Sequence, residues 1–391
     1  MPNKKYEIKM RVLFISMPPF LDVDLSLVNH LSKHCDVHYL MDLPPYYLTS
    51  SALKITKIKP QDEILSASEY PELHQFASFI GLNKWHVINR TSPKKFALSN
   101  LKLQFEIRNF IENLNPDVIH CGNYLDENFY LFLLRNKRKI VLTVHDPFPH
   151  SGEGTKRKSL IFKFNFAFIK NIVLLNSTQK EAFIESTPFN FSSVFVSALG
   201  VYEYLSLYKI NQTKSDAFKI LFFGRVSPYK GIDILLEAFS SIGSPVNAEL
   251  IIAGNGKFWF DITKYSSTPR ITILNRYVPN DELVQLLSQA SVVVCPYKDA
   301  TQSGVVMSAY ALNKPVIGTK VGAIPEMIQD EHTGILIPPN DVDELANALR
   351  RVIGDSSLLA KMENNIKETY STGEKGWERI TLDLSSHYLT L

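Results

Sequence analysis

Short, wholly apolar runs recur along this chain, each set off from the next by a segment long enough for a helix. They are Val12–Ile15, Val118–His120, Ile140–Val144, Ile172–Leu175, Ile220–Phe223, Leu250–Ala253, Val292–Cys295 and Pro315–Ile317. A strand that is apolar on both faces needs cover on both, and a parallel sheet wrapped by crossover helices supplies it. The expected class is α/β. With 391 residues, 45% hydrophobic and 21% charged, the chain exceeds one comfortable core and is too apolar for disorder. Two domains are therefore expected.

The break falls between Leu199-Gly200-Val201 and Phe218, where the polar run Lys209–Asp216 carries little periodicity and a fresh strand follows at Lys219. This gives a first domain over 1–205, a second over 206–374, and a closing helix over 375–391. That helix is amphipathic through Trp377, Ile380, Leu384 and Tyr388, so it needs a surface, expected on the first domain. Before it, Asp341 and Glu344 have capping-box spacing ahead of Leu345, Leu349, Val352 and Ile353.

Net charge is +3, too small to argue for nucleic acid. Residues 1–200 hold 24 basic and 18 acidic side chains and the remainder 18 and 21, so the halves are expected to meet different partners. Cys35, Cys121 and Cys295 are far apart with no metal-ligand spacing, which predicts neither a disulfide framework nor a zinc site and fits a reducing cytosol. No signal-peptide core follows Met1-Pro2-Asn3-Lys4-Lys5, and no run reaches the roughly 18–20 apolar residues of a spanning helix.

Two segments carry the chemistry. Phe223-Gly224-Arg225-Val226-Ser227-Pro228-Tyr229-Lys230-Gly231 leaves a strand and opens a helix. A glycine there permits a tight turn beneath a ligand, and two cations five residues apart either converge on a diphosphate or stand solvated. The second, Asp299–Ala309, follows a buried strand and starts another helix, whose first amides attract an anion. Thr301 or Ser303 as an ordinary cap is compatible with that.

Taken in order, these pieces resemble the family-4-like glycosyltransferases of GT-B fold. The likeness spans most of 218–355 and runs through Gly224-Arg225…Lys230-Gly231, Ile252-Ala253-Gly254-Asn255-Gly256 and Tyr277-Val278-Pro279. It continues through Pro296-Tyr297, Lys314-Pro315-Val316-Ile317 and Val321-Gly322-Ala323-Ile324-Pro325-Glu326. It implies two Rossmann-like doubly wound domains facing across a cleft. Arg225 and Lys230 would hold a donor diphosphate, and Gly224 would allow its close approach. Asn255 and the backbone at Tyr277 and Val278 would sit around the nucleotide, and Thr301, Gln302, Ser303 and Gly304 around sugar and phosphate. The family's two glutamates, eight positions apart, are replaced here by Ala300 and Ser308. Ser308 retains a hydroxyl for a ribose, and Gln302 or Asp299 substitutes near the sugar, or catalysis has been lost.

The implied reaction is transfer of a hexose-type sugar from a UDP- or GDP-sugar to an acceptor hydroxyl on a glycan or lipid-linked glycan. Retention of configuration is expected, and so is independence of metal and cofactor, with the cations and the helix N-terminus taking the leaving-group charge. The family also implies a cytoplasmic location at the inner face of the plasma membrane, in polysaccharide, lipopolysaccharide or capsule assembly. A nucleotide-sugar 2-epimerase of the same fold and a non-catalytic nucleotide-sugar binder are the competing readings.

In the first half His145 follows a buried strand, where sites in open parallel sheets lie. It either reaches donor sugar and acceptor or caps its loop; His150 invites the same two readings. Asp22 and Asp24, after the first strand, orient an acceptor hydroxyl or cap a helix beginning near Leu25, and His120 is placed with them. Lys156–Lys170, basic and aromatic together, reads as a membrane-surface segment or a core helix.

Overall fold

The computed structural model describes residues 9–92, 98–126, 129, 139–148, 156–210, 217–243, 247–266, 268 and 270–391; for 98–100 and 156–160 it describes backbone alone. His150 lies outside these residues. The first sheet comprises β1 (Arg11–Ser16), β2 (Asp36–Leu43), β3 (Glu63–Ser66), β4 (Trp85–Asn89), β5 (Val118–Cys121), β6 (Ile140–Val144), β7 (Asn171–Leu174) and β8 (Ser193–Val196). The second comprises β9 (Phe218–Phe223), β10 (Ala248–Ala253), β11 (Ile271–Leu274), β12 (Val292–Cys295), β13 (Val316–Thr319) and β14 (Gly334–Ile337).

Strand order is β3-β4-β2-β1-β5-β6-β7-β8 in the first sheet and β11-β10-β9-β12-β13-β14 in the second. Every pairing is parallel except β3 on β4. In each sheet the chain winds outward from a first strand, returns, and continues on that strand's other side. Each sheet therefore has a switch point at which connections depart in opposite directions, between β1 and β5 and between β9 and β12.

The central strands β5, β6, β7, β12 and β13 are buried at every position, which is the reason their residues are mostly apolar. In β1 the two faces diverge. Val12 and Phe14 join Tyr39, Met41 and the helix Leu21–Leu31, while Leu13 and Ile15 join Leu40, Ile119 and the helix Leu98–Leu114. Fully burying one such aliphatic side chain stabilises by about 1.5–3 kcal/mol. The helix Leu21–Leu31 starts four residues before the expected Leu25, immediately after Phe20. Asp341 caps Val342–Gly354 by accepting from Glu344 N at 2.9 Å.

The closing helix, Trp377–Tyr388, lies on the first domain. Trp377 Nε1 donates to the Val201 carbonyl at 2.7 Å, and its ring covers Gly200 so closely that a Cβ there would sit 2.4 Å from Cε2. His387 stacks on Phe195 of β8 at 4.5 Å, and the Tyr388 hydroxyl bonds His120 Nδ1.

The basic aromatic segment is the helix Lys156–Phe168, and its aromatic face is core. Phe162 stacks on Tyr124 at 4.1 Å, and Phe166 packs against Phe183, Phe189 and Phe191. Buried Asn165 clamps Leu125, accepting from its N–H at 3.0 Å and donating to its carbonyl at 2.9 Å. A face so engaged is not available to lie in a lipid surface. Among the described residues no helix is long and apolar enough to cross a membrane.

Candidate active site

The second sheet's switch point gathers the two chemistry-bearing segments. Past β9, Gly224 takes a φ of +124° and Gly224 N donates to Ala253 O at 3.0 Å, while Val226 N donates to Asn255 O at 3.0 Å. Gly254 presses on the Gly224 carbonyl so that a Cβ there would fall 1.7 Å from the oxygen. Only glycine permits that approach. The exposed Asn255 thus contributes its backbone to holding the loop. Gly231, left-handed at φ +66°, meets the Pro296 carbonyl equally closely, fixing the helix Ile232–Ser241 against the exit of β12.

Lys230 ends the turn Pro228–Lys230, and its ammonium lies 3.7 Å from the ring centroid of Tyr297 and 5.1 Å from that of Tyr229. A cation over an aromatic face is attracted to the ring's negative centre, most strongly where water is partly excluded. Tyr297, fully buried, extends its hydroxyl to Ser303 Oγ at 3.2 Å. The loop carrying Lys230 and the turn carrying Ser303 therefore share one ring. Arg225 is exposed on the same loop. Ser303 is the N-cap of Gly304–Ala311 without a side-chain cap hydrogen bond, so the amides of that first turn are not satisfied by the cap. Ala300 and Ser308 are both buried, and a Cβ on Gly322 would lie 1.6 Å from the Ala300 carbonyl. Tyr277 is 54% exposed beside half-buried Val278.

From the first domain, His145 reaches this region at the end of β6. Its Nε2 bonds the Gly122 carbonyl at 2.8 Å, and its ring packs on Phe20 at 4.5 Å. A carbonyl only accepts, so Nε2 carries the proton; burial lowers the ring's pKa, making it a neutral imidazole with an unprotonated Nδ1. The neighbouring residues meet the second domain directly. Thr301 Oγ1 donates to Asp146 Oδ1, and Gln302 Nε2 donates to the His145 carbonyl at 3.1 Å.

The remaining first-domain candidates divide. Half-buried Asp22 accepts from Ser51 Oγ at 3.0 Å and from Val23 N at 2.9 Å, and burial raises its pKa to about 6. Asp24 and His120 do not face the cleft. Asp24 turns inward to the Tyr39 hydroxyl at 2.7 Å, its pKa pushed by burial up to about 7. His120 is 1% exposed, with Nδ1 on Tyr388 and Nε2 on Thr143 Oγ1 at 2.6 Å, and burial holds it neutral, at about 3. A strand-end position placed them correctly along the chain but not across the sheet.

Several groups at the junction escaped sequence reasoning. Glu326 accepts at 2.9 Å from Ser177 N and at 2.6 Å from Thr178 N, and also takes the Thr178 hydroxyl, so one carboxylate of the second domain caps a turn of the first. These bonds lower its pKa although burial opposes them. Asn280 Nδ2 donates to Ser51 O at 2.8 Å, and the Tyr277 hydroxyl reaches Ser50 O at 3.4 Å. In the first domain Arg90 is buried between Asp42 and Asp126, at 2.5 and 3.1 Å. Glu326 had a signal, since it ends the Val321–Glu326 motif; the Arg90 trio, its acids 48 residues before the arginine and 36 after it, had none. Among the described residues no group of three or more His, Cys, Asp or Glu is arranged to hold a metal ion.

Two doubly wound domains that meet with the carboxyl ends of their strands toward a shared cleft define a GT-B protein. Residues 217–355 match the family model described as glycosyl transferases group 1, and residues 33–177 match that of glycosyl transferase 4-like domains. The chain belongs to this family of glycosyltransferases. It is 26% identical over 302 residues to an uncharacterized glycosyltransferase of Methanocaldococcus jannaschii, covering 75% of this chain and 82% of that one. Several other curated relatives match over less than half of their own length, among them a D-inositol 3-phosphate glycosyltransferase of Streptomyces bingchenggensis, 29% identical across 44% of this chain and 40% of that protein. The fold matches that of an Anabaena protein, HepE, solved in complex with UDP-glucose, at a TM-score of 0.67 and 17% identity, covering 98% of this chain and 100% of that one.

Proposed function

We propose that the protein moves a hexose-type sugar from a UDP- or GDP-sugar to a hydroxyl of a glycan or lipid-linked glycan, retaining configuration and using no metal. One observation carries this reading: at the second sheet's switch point, Lys230 and the N-cap Ser303 converge on Tyr297, on the same side as the glycine turn at Gly224. Cations and unsatisfied amides aimed at one place suit a diphosphate whose charge grows as it departs. UDP-glucose in the Anabaena neighbour favours a uridine donor.

In the proposed step the bond from the anomeric carbon to the diphosphate oxygen breaks as the bond to the acceptor oxygen forms on the same face. The acceptor's proton passes to the departing phosphate oxygen. Arg225, Lys230 and the first turn of Gly304–Ala311 stabilise the charge, and His145, held neutral, borders the sugar. Asp22 lines the acceptor side. The work fits glycan assembly at the cytoplasmic face of a membrane. The deciding experiment is a thermal-shift screen against UDP, GDP and their common sugar conjugates, since a ligand of the native state raises the melting temperature by mass action. NMR of the product anomer formed from the donor so identified then tests retention, and inversion would refute that part.

A further inference from the structure

Two aromatic rings stand in solvent where β2 leaves the first sheet. Tyr46 is 49% and Tyr47 36% exposed, and they meet edge to face with centroids 4.8 Å apart, an arrangement that leaves ring surface uncovered. Their backbone is held on both sides. Pro44 and Pro45 precede them, Tyr47 N donates to Pro44 O at 3.0 Å, and a hairpin follows, closed by Ser50 N on Leu53 O and Ile55 N on Leu48 O, each at 2.7 Å. Burial raises the Tyr46 pKa, and the charges of Arg90, Asp126 and Asp42 act on it as well, so this ring is rooted beside the buried trio. Rings presented on a held loop lose little conformational freedom when a ligand settles on them.

Their place in the fold says which ligand. Asp42 is near the end of β2, Arg90 directly follows β4 and Asp126 lies past β5, so the pair stands at the carboxyl ends of the strands, where sites in open parallel sheets lie. The hairpin beyond it donates Ser51 Oγ to Asp22 at 3.0 Å and accepts Asn280 Nδ2 of the second domain on Ser51 O at 2.8 Å. The rings are thus continuous with the wall of the cleft that carries Asp22. A lipid surface calls for cations that reach headgroups, but Arg90, the guanidinium beside these rings, is buried between two acids. A pyranose instead offers a face of C–H groups, slightly positive, which suits the negative face of an aromatic ring. We infer that Tyr46 and Tyr47 form a stacking platform for a sugar ring of the acceptor. This rests on the glycosyltransfer reading above and narrows its acceptor to a molecule that already carries a pyranose with an apolar face.

The test is saturation-transfer NMR on the whole protein with the methyl glycosides of glucose, galactose, mannose and N-acetylglucosamine, recorded alone and with the nucleoside diphosphate that the thermal-shift screen selects. At least one glycoside is expected to receive saturation on the protons of one ring face. Its dissociation constant should rise about tenfold in Tyr46→Ala and in Tyr47→Ala but stay unchanged in Tyr46→Phe, which keeps the ring. Unliganded melting temperatures establish that the variants fold, and an unchanged shift with the nucleoside diphosphate that the donor lobe is intact. Silence from every glycoside, or equal binding by wild type and both alanine variants, overturns the inference. A loss in Tyr46→Phe as large as in Tyr46→Ala overturns it too, since a hydroxyl contact rather than stacking would then be at work. Alanine variants that bind glycosides normally but lose vesicles of phosphatidylglycerol and phosphatidylethanolamine would make the rings a lipid contact instead. If no nucleotide stabilises the wild type while the glycoside effect holds, the transfer reading fails and the rings remain a sugar-binding surface; failure of the glycosides alone leaves the transfer reading standing.

Discussion

Where β9 leaves the second sheet, the chain passes through Gly224, Arg225 and Lys230; where β1 leaves the first, it passes through Met17, Pro18, Pro19 and Phe20. Both loops sit at a switch point. The second domain keeps bare Cα atoms there, because backbones come within van der Waals contact of one another. The first domain keeps rings and carboxylates: Phe20 against His145, Asp22 with Ser51, Asp24 beneath them on Tyr39. On the proposed reading, an anion would be held by fixed amides and cations that tolerate little change. On the same reading, an acceptor would be met by side chains, which can be exchanged without rebuilding the turn.

Substitutions should therefore be felt unequally. Lys230→Ala is expected to lower donor turnover by roughly 10²-fold or more in a steady-state assay, with the fold retained; near-normal turnover would show that the cleft does not grip its donor here. Next, Gly254→Ala should cost about 2 kcal/mol or more in denaturant melts, because the new methyl collides with the Gly224 carbonyl. Pro19→Ala, in the first domain's loop after β1, should stay within about 0.5 kcal/mol. Equal losses would erase the contrast between the loops.

Glu326→Ala is a smaller change, expected to weaken closure by about 1–3 kcal/mol as bonds to a charged acceptor are lost. Small-angle scattering should report a larger radius of gyration and titration a weaker nucleoside diphosphate. The carboxylate's pKa is lowered by its partners, so its contribution is present above the ordinary carboxylate range and disappears as pH falls through the lowered value. Smallest is Asp24→Asn. Its carboxyl, raised to about 7, binds a proton in the folded state that the unfolded chain releases near 4. Stability from this group is complete below about 4 and declines as pH rises toward 7, so the variant should flatten that decline and melt a few degrees higher at pH 8. An unchanged profile would mean Asp24 is not held protonated.

The second domain was the more legible because its signals are local. The strands β9, β10, β12 and β13 each contain a short apolar run, and Gly224 to Lys230 lie within one loop. Strands β3, β8 and β11 left weaker marks, since each lies at a sheet edge and is only partly buried. His120 was misplaced for a definite reason: the end of a strand fixes how far along the sheet a residue lies, whereas its burial comes from Tyr388, 268 residues later. The Asp42–Arg90–Asp126 trio and the Glu326 cap are likewise assembled by topology from distant segments, and no spacing announces them.

The return of Trp377–Tyr388 to the first domain orders events during synthesis. His120 is made early but has no hydroxyl for its Nδ1, and Gly200 no indole above it, until the entire second domain has been translated. The half of the enzyme that leaves the ribosome first is thus the half completed last, and a chain interrupted before Trp377 would carry a finished donor lobe beside an unsealed partner.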